Sequence, residues 1–246
     1  MIELAIGKIP LADWVSTATD WITSNLSAGF DIIQKSGTAI MDTVTAGLTA
    51  VPFWLMIIVV TFLAVLVSGR KIAFPIFTFL GLVLIANQGL WTDLMNTVTL
   101  VLLSSLVSII IGIPLGIWMA KSELVAKIVQ PILDFMQTMP GFVYLIPAVA
   151  FFGIGVVPGV FASVIFALPP TVRMTNLGIR QVSTELVEVA DSFGSTPRQK
   201  LFKLEFPLAK GTILAGVNQT IMFALSMVVI ASMIGAPGLG RGILAA

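Results

Sequence analysis

The chain contains no cysteine, no histidine and a single tyrosine in 246 residues. Disulfide frameworks, thiol nucleophiles, Cys/His zinc sites and histidine acid–base chemistry are therefore excluded by inventory, and most enzymatic readings go with them. Charge is also scarce. Charged side chains make up 10% of the residues and the net charge is +1, with no basic stripe interleaved with aromatics, so nucleic acid is not an expected partner. The Gly-x-x-x-x-Gly-Lys-Ser/Thr phosphate loop is missing too, and without it the chain does not hold ATP in that manner. What is abundant is apolar: 57% of the residues are hydrophobic and the mean hydropathy is +1.06, which marks an integral membrane protein.

About 20 uncharged residues cross the hydrocarbon core of a bilayer as a helix. Val51–Gly69, Ile72–Leu90 and Met95–Ala120 meet that length. Between Asp134 and Arg173 no charge occurs, but Gly153, Gly155, Pro158 and Gly159 interrupt the run, which predicts two shorter helices joined by a tight turn. A sixth span is expected from Gly211 to about Ile234. The first 48 residues carry Asp13, Asp20, Asp31, Lys35 and Asp42 and cannot span. Apolar residues there recur at helical spacing, as in Trp14, Val15, Ala18 and Trp21, and again in Ile40, Met41, Val44 and Leu48. That pattern predicts amphipathic helices lying in the membrane interface, with packing against the protein itself as the alternative. No basic n-region followed by an unbroken apolar core marks a cleavable signal peptide. The expected organisation is residues 1–48 as interfacial helices, 49–93 as two peripheral spans and 94–246 as the core. The fold class is all-α and polytopic, with about six transmembrane helices.

Lys and Arg are left preferentially on the cytoplasmic side. Arg70 and Lys71, Lys121 and Lys127, and six more between Arg173 and Lys210 all fall on one alternating side, ten of the thirteen basic residues. The predicted topology therefore places the charged insert 173–210 in the cytoplasm and the N-terminus, the Asn87–Asp93 loop and the Gly235–Gly242 segment outside.

Within that insert the sequence predicts two short helices. Leu186, Val187, Ala190 and Phe193 make an apolar face, and Gly194 is placed to end the first helix in a left-handed conformation. Thr196, Pro197 and Gln199 form a capping-box start for the second, which Pro207 is expected to stop. A turned helix pair of this kind suits a groove on another protein; a surface-lying amphipathic loop is the other reading of the same pattern.

Glu188, Ala190, Gly194, Leu204, Phe206 and Pro207 stand at the spacing of the EAA loop, and the chain resembles the permease subunits of binding-protein-dependent ABC importers. Val189 departs from the usual alanine by a small apolar change. The runs Gln137–Pro147, Phe166–Pro170, Gly216–Thr220 and Ser226–Ile234 resemble the glycine betaine/proline (quaternary ammonium) branch of that family. This resemblance covers about Leu94 to Gly242, and the N-terminal third resembles only longer, Gram-positive-like members. It implies the type I permease fold and a multi-pass protein of a bacterial plasma membrane. It further implies a homodimer with a second permease copy, two copies of an ABC ATPase subunit that carry ATP and Mg, and an extracytoplasmic substrate-binding protein or fused domain. No cofactor is expected in this chain. The coupling loop spans about 184–207, with Glu188, Ala190, Asp191, Phe193, Gly194 and Pro207 as its contacts to the ATPase. The chain stops at Ala246, just after the Gly235–Gly240 turn, where the resemblance implies at least one further span.

The rival reading is a sodium-coupled secondary transporter of a similar solute, which could use backbone carbonyls at the Gly/Pro breaks. Proton coupling is disfavoured because no ionisable residue lies inside the six spans. An osmotically gated channel would pass solute without ATP. A quaternary ammonium has no N–H to donate, so aromatic faces are expected around its charge. Phe142, Tyr144, Phe151 and Phe152, with Met139 nearby and Asn218 on the last span, are the candidate pathway residues, against the alternative that they anchor or pack helices. Gly112 and Gly116, four apart, read as a helix contact.

Overall fold

The computed structural model describes residues 10–69 and 71–245; the first nine residues of the N-terminal segment, Arg70 and Ala246 lie outside the described residues. Among the described residues all regular structure is helical, as a chain must be whose backbone groups have no water to bond. In order, these are α1 (Leu11–Asn25), α2 (Ser27–Ala50), α3 (Phe53–Ser68), α4 (Ala73–Asn87), α5 (Trp91–Lys121) and α6 (Glu123–Thr138). A 3-10 turn at Gly141–Tyr144 leads into α7 (Leu145–Phe152), followed by α8 (Val156–Arg180), α9 (Thr184–Ser192) and α10 (Pro197–Lys200). A π turn, Leu201–Glu205, joins α10 to α11 (Phe206–Ser232), and α12 (Leu239–Ala245) comes last.

Among the described residues, three helices are long and apolar enough to cross a membrane: α5, α8 and the continuous stretch Pro197–Ser232. Two bent pairs, α2 with α3 at 90° and α6 with Gly141–Phe152 at 109°, pass the same test only when taken together, and α4 is a shorter apolar helix. The polytopic class stands, while individual spans differ from expectation. The expected pair between Asp134 and Arg173 is one long helix, α8, and one stub, α7, because the chain also breaks at Pro140–Gly141. Gly153 at φ +73° and Gly155 at φ +145° reverse the chain between them, and the Gly155 N–H donates to Ile234 O at 3.1 Å, pinning that turn to the end of α11.

The centre of the molecule is α8, clasped between α5 and α11. Gly112 and Gly116 of α5 meet α8 so closely that an added Cβ would lie 2.8 Å from Thr171 Cγ2 and 2.6 Å from Thr175 Cβ respectively. On the opposite side, a Cβ on Gly216 of α11 would lie 2.6 Å from Met174 Cβ. In lipid, where apolar surface gives helices no reason to prefer one another over acyl chains, such close approach is what holds a bundle together. Buried hydroxyls supplement it: Thr171 and Thr220 are 2.7 Å apart, and Thr220 donates to Ala167 O at 2.9 Å, beside the Pro169–Pro170 pair.

For α2 the structure shows the alternative to a purely interfacial helix. Met41 is buried in a cluster with Leu100 and Val228, and Thr45 Oγ1 donates to Thr99 Oγ1 at 3.0 Å. Gly37 admits Val157 of α8, whose Cγ2 would lie 3.0 Å from a Cβ there. By contrast α1 leaves Trp14, Val15 and Trp21 exposed, a face suited to the headgroup region.

Candidate functional site

The insert between α8 and α11 is an elbow built by local chemistry. At the end of α9 the Gly194 N–H donates to Asp191 O at 2.9 Å and the Ser195 N–H to Ala190 O at 3.0 Å, the paired bonds of a Schellman motif, and Gly194 has φ +74°. Two residues later Thr196 and Gln199 complete their capping box, with the Gln199 N–H on Thr196 Oγ1 at 3.3 Å and the Thr196 N–H on Gln199 Oε1 at 2.9 Å, and Pro197 opens α10. Lys200 Nζ closes the angle by donating to both carboxylate oxygens of Asp191 at 2.8 Å. Three separate constraints thus hold a turn only a few residues long.

What the elbow presents is apolar and without a partner. Phe193, at its tip, is 86% exposed, and Leu186 and Val189 are exposed beside it; Val187 and Ala190 are half-buried and Glu188 is exposed. No atom lies within 4 Å of a Cβ added to Gly194, so its glycine is demanded by backbone conformation while the space beside it is open.

Pro207 does not stop the second helix. The Phe206 N–H donates to Leu201 O, a bond five residues back. That wider turn accommodates the proline, which lacks an N–H and whose ring crowds the carbonyl four residues before it. The helix accordingly runs unbroken from Pro197 to Ser232, 36 residues, about 54 Å at 1.5 Å per residue. Its uncharged part, Gly211–Ser232, is long enough for the bilayer, and Pro197–Lys210 continues the same helix as a charged stem.

Glu205 was not among the expected site residues. It is 4% exposed, and Lys121 Nζ, at the last position of α5, donates to its Oε1 at 2.6 Å. The signal in the sequence is a lone carboxylate in the apolar run Leu204–Pro207, but no spacing rule links it to a lysine 84 positions earlier.

The pathway candidates separate into two sets. Phe151 stacks on Phe30 with ring centroids 5.0 Å apart, Phe152 is buried edge-on to Phe30 and against Phe161, and Tyr144 is buried with its hydroxyl donating to Met136 O. Met139 caps α6 and packs on the cluster around Met227. Phe142 is 56% exposed and Asn218 is exposed on α11. Gly141, beside Phe142, abuts Met227 of α11, which lies about 13 Å along that helix from Asn218.

The family described as binding-protein-dependent transport system inner membrane component matches residues 112–246, more than half of the chain. The chain belongs to this family. As such a permease it is the membrane component of an ABC importer, served by a substrate-binding partner and by a partner subunit on which ATP hydrolysis resides. It is 60% identical to the glycine betaine/carnitine transport permease protein GbuB of Listeria monocytogenes over 96% of this chain and 84% of that protein. To the glycine betaine/proline betaine transport system permease protein ProW of Escherichia coli it is 48% identical over 96% of this chain and 66% of that protein. Both matches run through the N-terminal third, which is therefore not confined to Gram-positive-like members. An inward-facing structure of the MetNI methionine ABC transporter shares the permease's fold at TM-score 0.58 and 20% identity, covering 62% of this chain and 77% of that one. Nothing in these comparisons supports a sodium-coupled carrier.

Proposed function

We propose that this permease forms the translocation pathway of an ATP-driven importer of quaternary ammonium compatible solutes such as glycine betaine, serving osmoprotection. The names of its relatives support the solute class. The observation that carries the coupling half of the reading is the elbow: a rigid helical angle with Phe193 86% exposed at its tip and fastened by a Schellman motif, a capping box and an ion pair. An exposed aromatic on a fixed mount is the kind of anchor that fills a pocket on a partner.

In this reading two permease copies form a homodimer in a bacterial plasma membrane, and each elbow faces the cytoplasm and seats in one of two ATPase subunits that carry ATP and Mg. Phe193, Ala190, Gly194 and Glu188 meet the ATPase, Asp191 holds the elbow's angle through Lys200, and Pro207 sits in the stem that carries movement into α11. The N-terminus is extracytoplasmic, where a binding protein or fused domain delivers solute. Phe142 and Asn218, the two exposed pathway candidates, offer a ring face and an amide to a passing trimethylammonium carboxylate. Tyr144, Phe151, Phe152 and Met139 shape the path by holding the α6–α7 bend and α2 against the bundle.

The test is uptake of labelled glycine betaine into proteoliposomes holding the permease, its ATPase and its binding protein. Accumulation that requires ATP inside the ATPase compartment is expected. Concentrative uptake by the permease alone would overturn the reading.

A further inference from the structure

Within the elbow and its stem, Thr184–Glu205, the part from Pro197 onward runs into α11 as continuous helix, yet the polar ties of the segment to the rest of the bundle are few. Among the described residues, the Lys121–Glu205 pair is the one side-chain hydrogen bond or salt bridge linking this segment to another part of the chain. Its carboxylate is placed by the π turn: the extra residue in that turn rotates the stem by roughly 100° relative to an uninterrupted α-helix, and Glu205 is buried at its end, between Leu201 and Phe206, which share an apolar cluster with Ile113 and Ile117 of α5. Burying a carboxylate in such surroundings is costly unless a partner is at hand. The partner, Lys121, is the final residue of α5, and Ser122 immediately after it caps α6. The same corner is gripped from the other side by Arg180 at the end of α8, which donates to Met119 O at 2.9 Å and to Glu123 Oε1 at 2.5 Å.

We propose that the Lys121–Glu205 pair is the linkage through which movement of the elbow reaches α5, so that both residues position the bundle for coupling without touching solute or nucleotide. The proposal rests on the elbow being the ATPase contact. A push at Phe193 passes through the turn braced by Asp191 and Lys200 into the continuous helix of α11, whereas α5 is a separate span that packs on α8 and, through apolar contacts, on α11. Apolar contacts between α5 and α11 can slide, whereas the short charge-assisted bond at the stem passes displacement to the end of α5 with little slack. The pair thus makes two spans answer to one contact.

The test uses the whole reconstituted importer, and its readout is solute imported per ATP hydrolysed. Glu205→Gln is the informative change: it removes the buried charge, while Lys121, whose side chain is 41% exposed, can turn to water. The expected result is that import per ATP falls by about tenfold while the ATPase still co-purifies with the permease, and that Lys121→Arg, which keeps the charge and the reach, restores or retains most of the ratio. A purely structural role would lower import and hydrolysis together and leave their ratio unmoved; that outcome overturns the proposal. Loss of ATPase co-purification in Glu205→Gln would equally overturn it, by making the pair a support of the docking face. Phe193→Asp separates the underlying reading: if that change leaves the ATPase bound, it is the docking assignment that fails, whatever the ratio in Glu205→Gln.

Discussion

Phe193 and Glu205 invert the usual placement of their residue types, the ring in water and the carboxylate inside, and each inversion points to a contact. An aromatic that is 86% exposed contributes almost nothing to the stability of its own chain. Phe193→Asp is therefore expected to leave the thermal unfolding of the solubilised permease unchanged while weakening ATPase association by about 2 kcal/mol, roughly thirtyfold, measured by titrating ATPase onto permease in nanodiscs. A fall in unfolding temperature as large as that of a core substitution would show instead that the ring packs within the chain. Asp191 illustrates a residue whose place only geometry supplies: its carboxylate is spent on Lys200 across the turn, a pairing nine positions apart that helical spacing does not announce.

Among the helices, the α5–α8 contact is the most demanding. Its glycines at 112 and 116 follow the four-residue spacing that lets backbones meet, and an added Cβ at Gly116 would lie 2.6 Å from both Thr175 Cβ and Val172 O. Because one of these atoms is backbone, the neighbour cannot swing away. Gly116→Leu should cost about 1–3 kcal/mol through overpacking, visible as a lower midpoint in thermal denaturation in detergent, whereas Gly47→Leu on α2, with nothing within 4 Å, should leave the midpoint alone. The π turn is the other element of consequence. A proline eight residues after the end of a capping box reads as the end of a short helix, and nothing in the residue pattern reveals that a five-residue turn will carry the helix past it.

For the molecule as a whole, the absence of cysteine makes the membrane topology directly measurable. Single cysteines replacing Ser195 in the elbow and Gln88 after α4 should react with a membrane-impermeant maleimide from opposite sides: Gln88→Cys in intact cells, Ser195→Cys only after the membrane is opened or inverted. Reversed reactivity would refute the cytoplasmic placement of the elbow. The features legible in the residues alone were those set by local or compositional physics. Apolar runs without charge announce membrane helices, since a buried backbone must bond internally, and the Schellman glycine at 194 and the Thr196–Gln199 box act within a few positions. Folding in three dimensions settled the rest: α2 docked through Met41 and Gly37, a helix unbroken through Pro207, and Glu205 paired with Lys121. Those depend on which surfaces meet across dozens of residues, where helix phase and close backbone approach decide the partner and sequence separation carries no information about it.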